Sequence, residues 1–85
     1  MDLTFDPAKN AANIAKHGLS LADFRGFDTD PSVRVDNRYD YGERRYRAYG
    51  RIGGRGFCVV FMLRDEMMRV ISFRRAHDKE MRLYE

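Results

Sequence analysis

Arginine and tyrosine alternate through the middle of this 85-residue chain in a pattern suited to holding a polyanion. If Glu43 to Ile52 forms a strand, successive side chains point to opposite faces, so Arg45, Arg47, Tyr49 and Arg51 share one face and Tyr46, Ala48, Gly50 and Ile52 the other. Farther along, Ile71 and Phe73 form a natural core pair, which sends Ser72 and Arg74 to the opposite face. With the apolar faces turned toward the helices, Arg45, Arg47, Arg51 and Arg74 converge on one basic surface several strands wide. Like charges facing one another across strands are destabilising, so their accumulation calls for an external anion; a merely solvated arginine face is the alternative. Tyr39, Tyr41, Tyr46 and Tyr49 are interleaved with these arginines. Rings among guanidinium groups suit unstacked bases and their phosphates, which favours RNA over duplex DNA. No helix is basic enough to read a major groove, and Cys58 with two scattered His cannot build a zinc finger. Asp28 and Asp30 beside Pro31 read as turn residues rather than cation ligands, so neither a metal nor a cofactor is expected.

The elements that must position these groups follow from local patterning. Leu3 to Phe5 reads as a short strand, and Asp6-Pro7 opens a helix over 7–17 with Asp6 as N-cap and Gly18 as the left-handed stop. Ala8, Ala11, Ala12, Ile14 and Ala15 supply its apolar face. Ser20 with Asp23 resembles a capping box and predicts a second short helix ending near Gly26, with Leu19 stapled onto Phe24. From residue 32 the period becomes two: Val33 and Val35 alternate with Arg34 and Asp36, then come the strands around 43–52, 57–63 and 68–74, with turns at Gly53-Gly54 and Asp65-Glu66. Asp78 to Glu85 returns to helical spacing. The expected fold is α+β, with N-terminal helices packed on a four-stranded antiparallel sheet and a short C-terminal helix.

Composition bounds the rest. The chain is 44% hydrophobic and 34% charged, and reads as a single domain over 1–85 with a thin core. Residues 1–43 carry a charge balance of −3 and residues 44–85 one of +6, and 13 of the 16 basic residues are Arg, whose planar guanidinium pairs with phosphate. A single cysteine points to a reducing, cytoplasmic setting. The longest apolar run, Phe57 to Leu63, is far short of the roughly 20 residues of a membrane span, and the N-terminus lacks a signal-peptide layout.

The order of residues resembles the BrnT family, the toxin component of the BrnT/BrnA type II toxin–antitoxin system. The landmarks are Phe5-Asp6-Pro7 with Lys9-Asn10, Lys16-His17-Gly18 with Leu19, Asp36-Asn37-Arg38, Tyr41-Gly42-Glu43-Arg44-Arg45-Tyr46, Ile71-Ser72-Phe73-Arg74-Arg75-Ala76 and Tyr84-Glu85. His77-Asp78 stands where many relatives carry a Thr or Ser cap. The resemblance implies a RelE-like fold, metal-independent endoribonuclease activity that arrests translation, and neutralisation by a BrnA-type antitoxin bearing a DNA-binding domain. A homodimer within the toxin–antitoxin complex is left open.

Metal-free RNA cleavage needs a proton acceptor for the ribose 2′-OH, a proton donor for the 5′-oxygen, and cations that stabilise the phosphorane. Arg74 and Arg51 are the expected phosphate clamps, with Arg45, Arg47, Tyr49, Lys16 and Ser72 positioning the RNA. His17 is a candidate base, with helix capping as its competing role; Glu43 is another, although neighbouring arginines would depress its pKa and favour an ion pair. Arg75, on the opposite parity from Arg74, either reaches the site or anchors the terminal helix. A non-catalytic RNA-binding module and a basic protein-interaction domain are the competing readings.

Overall fold

The computed structural model describes residues 2–85, and its helix starts where the cap chemistry requires. The Asp6 carboxylate accepts from the Ala8 N–H at 2.8 Å, Pro7 fills the first helical position, and Gly18 at φ 72 closes the last turn by donating its N–H to the Ile14 carbonyl. In chain order the elements are β1 (Asp2–Thr4), α1 (Pro7–His17), a single 3-10 turn at Leu21–Asp23, β2 (Ser32–Asp36), β3 (Arg45–Ile52), β4 (Arg55–Arg64), β5 (Met67–Arg75) and α2 (Asp78–Tyr84). Two-residue turns join β3 to β4 and β4 to β5, with left-handed backbones at Gly53 and Gly54 (φ 59 and 78) and at Asp65 and Glu66 (φ 53 and 64). Paired left-handed residues match the twist of the flanking strands, which is why these tight connections hold a hairpin register.

The sheet has five strands in the order β1-β5-β4-β3-β2 and is mixed, since β1 lies parallel to β5 while the other neighbours are antiparallel. This corrects the expected four-stranded antiparallel sheet. A three-residue strand has too little periodicity to reveal its partner. The second expected helix is likewise only the 3-10 turn, in which the Ser20 hydroxyl accepts from Ala22 N–H at 3.2 Å. One core lies on the face of the sheet that the 3-10 turn covers, where Leu21, Phe24, Ala48, Val59, Phe61, Val70 and Phe73 pack together.

Helix α1 docks by hydrogen bonds rather than through its alanines. Ala8, Ala11, Ala12 and Ala15 are exposed, Ile14 is 46% exposed, and the buried residue of the helix is Asn13. β1 pairs with β5 only as far as Arg69, so the outer edge of β5 beyond it needs other partners. Asn13 supplies them. Its amide nitrogen donates to Phe73 O at 2.8 Å and Leu19 O at 2.9 Å, while its oxygen accepts from Phe73 N–H at 3.1 Å. Asn13→Ala should therefore lower unfolding stability by about 2–3 kcal/mol, the cost of orphaning buried backbone groups. Urea denaturation measures it, and a loss below about 0.5 kcal/mol, the usual surface value, would refute it.

Helix α2 lies on the opposite face, which overturns the expectation that all helices share one side. Tyr49, Cys58, Ala76 and Met81 are buried there together, with Tyr84 packed against them. Gly56 allows the approach, because a Cβ at that position would stand 2.4 Å from the Met81 side chain. His77 caps α2 without a side-chain hydrogen bond, so packing rather than capping holds this short helix.

Candidate RNA-cleaving cleft

The alternation read from the sequence places Arg45, Arg47, Tyr49 and Arg51 on one face of β3, with Ser72 and Arg74 across β4 on the same face. Because α1 sits at the edge of β5, its C-terminal end reaches the cleft that Ser72 and Arg74 line. The result is a cleft of about 230 Å³ lined by residues from α1, β2, β3, β4, β5 and the 37–44 loop. Val60, Ser72 and Cys58 belong to its sheet surface, Lys16 and His17 come from α1, and Arg74 and Arg45 add charge.

Five of the residues expected from the sequence are thus gathered in one place: Lys16, His17, Arg45, Ser72 and Arg74. Burial, then the neighbouring Lys16 and Arg74 cations, push the His17 pKa below its ordinary value, which favours the neutral imidazole. Arg74 is half-buried and braced by the Glu80 carboxylate, which accepts from both of its terminal nitrogens at 2.8 Å, while the Arg75 carbonyl accepts a third bond at 3.1 Å. A guanidinium has five N–H donors, so two remain for a phosphate oxygen. The same pairing holds the Glu80 carboxyl below the usual carboxylate range.

The other expected residues lie elsewhere. Arg51 forms a bidentate pair with Glu85 at 2.8 and 2.9 Å near the β3–β4 turn and does not line the cleft. Tyr49 is 1% exposed, stacked beneath Tyr84 at 4.8 Å, and burial drives its pKa up to about 12, so its ring is not presented on an open surface. Arg47 donates to the Tyr49 hydroxyl at 3.3 Å and approaches Asp36 at 3.8 Å. Glu43 pairs with Arg45 at 3.1 Å and faces a neighbouring hollow. Arg75 donates to Gly56 O at 3.3 Å and lies over Phe57, anchoring the end of the hairpin on the face opposite the cleft. The basic face is therefore partly covered by α2, and its free part is the cleft beside that helix. Arg34, too, is engaged with α2: its guanidinium lies 4.7 Å from the Tyr84 ring centroid and donates to Tyr84 O at 3.4 Å.

Reasoning from sequence gave no site role to Asp36 or Arg38, which line the same cleft together with Tyr41, one of the interleaved tyrosines. Asp36 is 3% exposed and accepts from Arg38 at 2.7 and 2.9 Å and from the Tyr41 hydroxyl at 3.1 Å. The Arg38 bonds hold its carboxyl down at about 2. The available signal was parity, since Asp36 shares the polar face of β2 with Arg34, while Val33 and Val35 on the other face are half-exposed at the sheet edge.

A comparison with family models matches residues 5–80 to BrnT, described as the ribonuclease toxin of a type II toxin–antitoxin system. The chain belongs to the BrnT family. No curated protein sequence matches it. The BrnT match spans every residue that lines the cleft, from Lys16 to Arg74, together with the Glu80 that braces Arg74. A BrnT toxin is a ribonuclease and is paired with an antitoxin. Among the described residues no helix is long and apolar enough to cross a membrane.

Proposed function

We propose that this BrnT chain is a metal-independent endoribonuclease whose chemistry takes place in the cleft between the end of α1 and β5. The observation that carries the reading is the meeting of His17 and Arg74, from elements far apart in sequence, in one cleft. A ring nitrogen of His17 takes the proton of a ribose 2′-OH, the 2′-oxygen attacks the adjacent phosphorus, and the bond from phosphorus to the 5′-oxygen breaks as that oxygen gains a proton from water, His17 later returning its own to solvent. The products are a 2′,3′-cyclic phosphate and a 5′-hydroxyl. Arg74 donates to the phosphorane oxygens, where charge builds in the transition state. Arg45 and Lys16 neutralise flanking phosphates, and Ser72 donates a hydrogen bond to the backbone. Guanidinium groups thereby supply the electrostatic stabilisation that a divalent ion provides in other nucleases.

The reading extends to the cell. Cleavage of messenger RNA in the cytoplasm arrests translation, in the manner of RelE-like toxins, and a BrnA-type antitoxin restrains it by covering the cationic cleft. The antitoxin carries the DNA-binding domain, so repression belongs to the complex, in which two toxin copies could be joined.

Incubating folded, antitoxin-free protein with RNA in excess chelator, and identifying the product ends, tests the activity. Products with cyclic phosphate ends are expected. Intact RNA after prolonged incubation would overturn the enzymatic reading in favour of a non-catalytic RNA-binding module. Antitoxin and RNA should also exclude one another, and a ternary complex with undiminished RNA affinity would defeat the masking role.

A further inference from the structure

Of the large apolar side chains left exposed among the described residues, Tyr39 is the most exposed, at 72%, and is the one aromatic ring. An unsupported ring on a surface loop would gain little from order, yet this one stands on a chain of contacts that begins inside the cleft. Tyr39 meets Tyr41 edge-on, with centroids 5.8 Å apart at 72°. Tyr41 is pinned on two sides, by its hydroxyl donating to Asp36 at 3.1 Å and by the Arg45 guanidinium 4.2 Å over its ring. Asp36 in turn grips Arg38 through two hydrogen bonds, and the Asp40 side chain accepts from Gly42 N–H at 3.0 Å to brace the turn. The buried carboxylate of Asp36 is the keystone, because both Arg38 and Tyr41 depend on it.

We propose that the 37–44 loop is a preformed subsite for one unpaired nucleotide beside the cleft, with Tyr39 stacking on its base and Arg38 binding its phosphate. The chemistry points that way for three reasons. An exposed aromatic face recognises the π-face of any base that is not already stacked, which a duplex does not offer. Arg38 uses only its Nε and one terminal nitrogen on Asp36, leaving three of its five N–H donors for phosphate oxygens. The contacts that hold the loop are made before any ligand arrives, so less ordering cost falls on binding. Arg38 and Tyr41 line the cleft itself, so a phosphate held by Arg38 lies in the same cleft as His17 and Arg74, with Tyr39 against Tyr41 at its edge. The subsite rests on the reading of that cleft as one that takes RNA, and it adds a requirement for single-stranded substrate.

Binding of a non-cleavable, 2′-O-methylated single-stranded oligonucleotide separates this from catalysis. Tyr39→Ala should weaken affinity about 5- to 100-fold, the loss of one base–aromatic stack, and Tyr39→Trp should restore it. With a strand of the same length whose bases are removed, the Ala variant should bind as the parent does. Asp36→Asn, acting through Arg38 and Tyr41, should weaken binding of both strands. In cleavage assays Tyr39→Ala should raise KM and leave kcat within about threefold, since stacking that is equal in ground and transition states is uniform binding. Unchanged affinity of Tyr39→Ala for the intact strand would overturn the subsite while leaving cleavage by the parent chain untouched. Equal losses on both strands would overturn it as well. Weakened antitoxin binding with unchanged RNA affinity would reassign the ring to the antitoxin.

Discussion

Arg74→Ala should lower RNA cleavage by about two to three orders of magnitude, the usual consequence of removing one preorganised donor to a transition state. It should also lower stability by about 1–2 kcal/mol, because Arg74 is not on an open face but holds Glu80 of α2 through charged hydrogen bonds. Two further variants separate the effects. Glu80→Gln weakens the brace while keeping the guanidinium, so it should share the stability loss and retain most activity. Arg74→Lys keeps a point charge but cannot donate in two directions to a planar partner, so intermediate activity is expected. Arg55, exposed at the start of β4, is the control, since Arg34 and Arg51 are both engaged with the C-terminal segment. Arg51→Ala should cost less than tenfold in rate, as the residue lies outside the cleft. Rates measured below each variant's melting temperature decide the matter. Full cleavage by folded Arg74→Ala would remove it from the mechanism.

His17→Ala should reduce kcat/KM by about 10²- to 10⁴-fold if the imidazole is the general base. The pH profile gives the more specific signature. A base must be deprotonated to act, and the folded-state pKa of His17 is pushed down first by burial, then by Lys16 and Arg74. The acidic limb of kcat/KM therefore falls below the ordinary histidine value of about 6.5, with rate rising through it and level above. Removing a cationic neighbour should move the limb upward. Lys16→Ala is the cleaner test, because the proposed mechanism also gives Arg74 the phosphorane to stabilise. A profile without an acidic limb, or one unmoved in Lys16→Ala, would assign His17 to the helix end alone, where its charge would favour the C-terminal dipole.

Much of the fold was legible because local chemistry enforces it. Asp6, Pro7 and Gly18 bound α1 at its observed ends, and Gly53-Gly54 and Asp65-Glu66 set the hairpins that keep Arg45, Arg74 and Ser72 on one face. Where apolar patterning was trusted without knowledge of neighbours, it misled. The alanine stripe of α1 and the valines of β2 look like core residues, yet the helix docks through Asn13 and the strand turns Asp36 inward. A polar side chain that satisfies backbone groups sixty residues away carries no signature in its own segment.

The amino-acid sequence by itself determined the family and the face on which Arg45, Ser72 and Arg74 stand, because period-two alternation assigns strand residues to faces until a bulge, such as the one beside Ile71, interrupts it. Only the tertiary structure decided which of those residues are free to act. Helix α2 crosses to the arginine side, buries Tyr49 and engages Arg51 and Arg74 with carboxylates, while α1, tied to the β5 edge by Asn13, brings His17 to the cleft. Strand parity is a property of the backbone within one element. The placement of a helix against a face depends on long-range packing and hydrogen bonds, which the local order of residues does not encode.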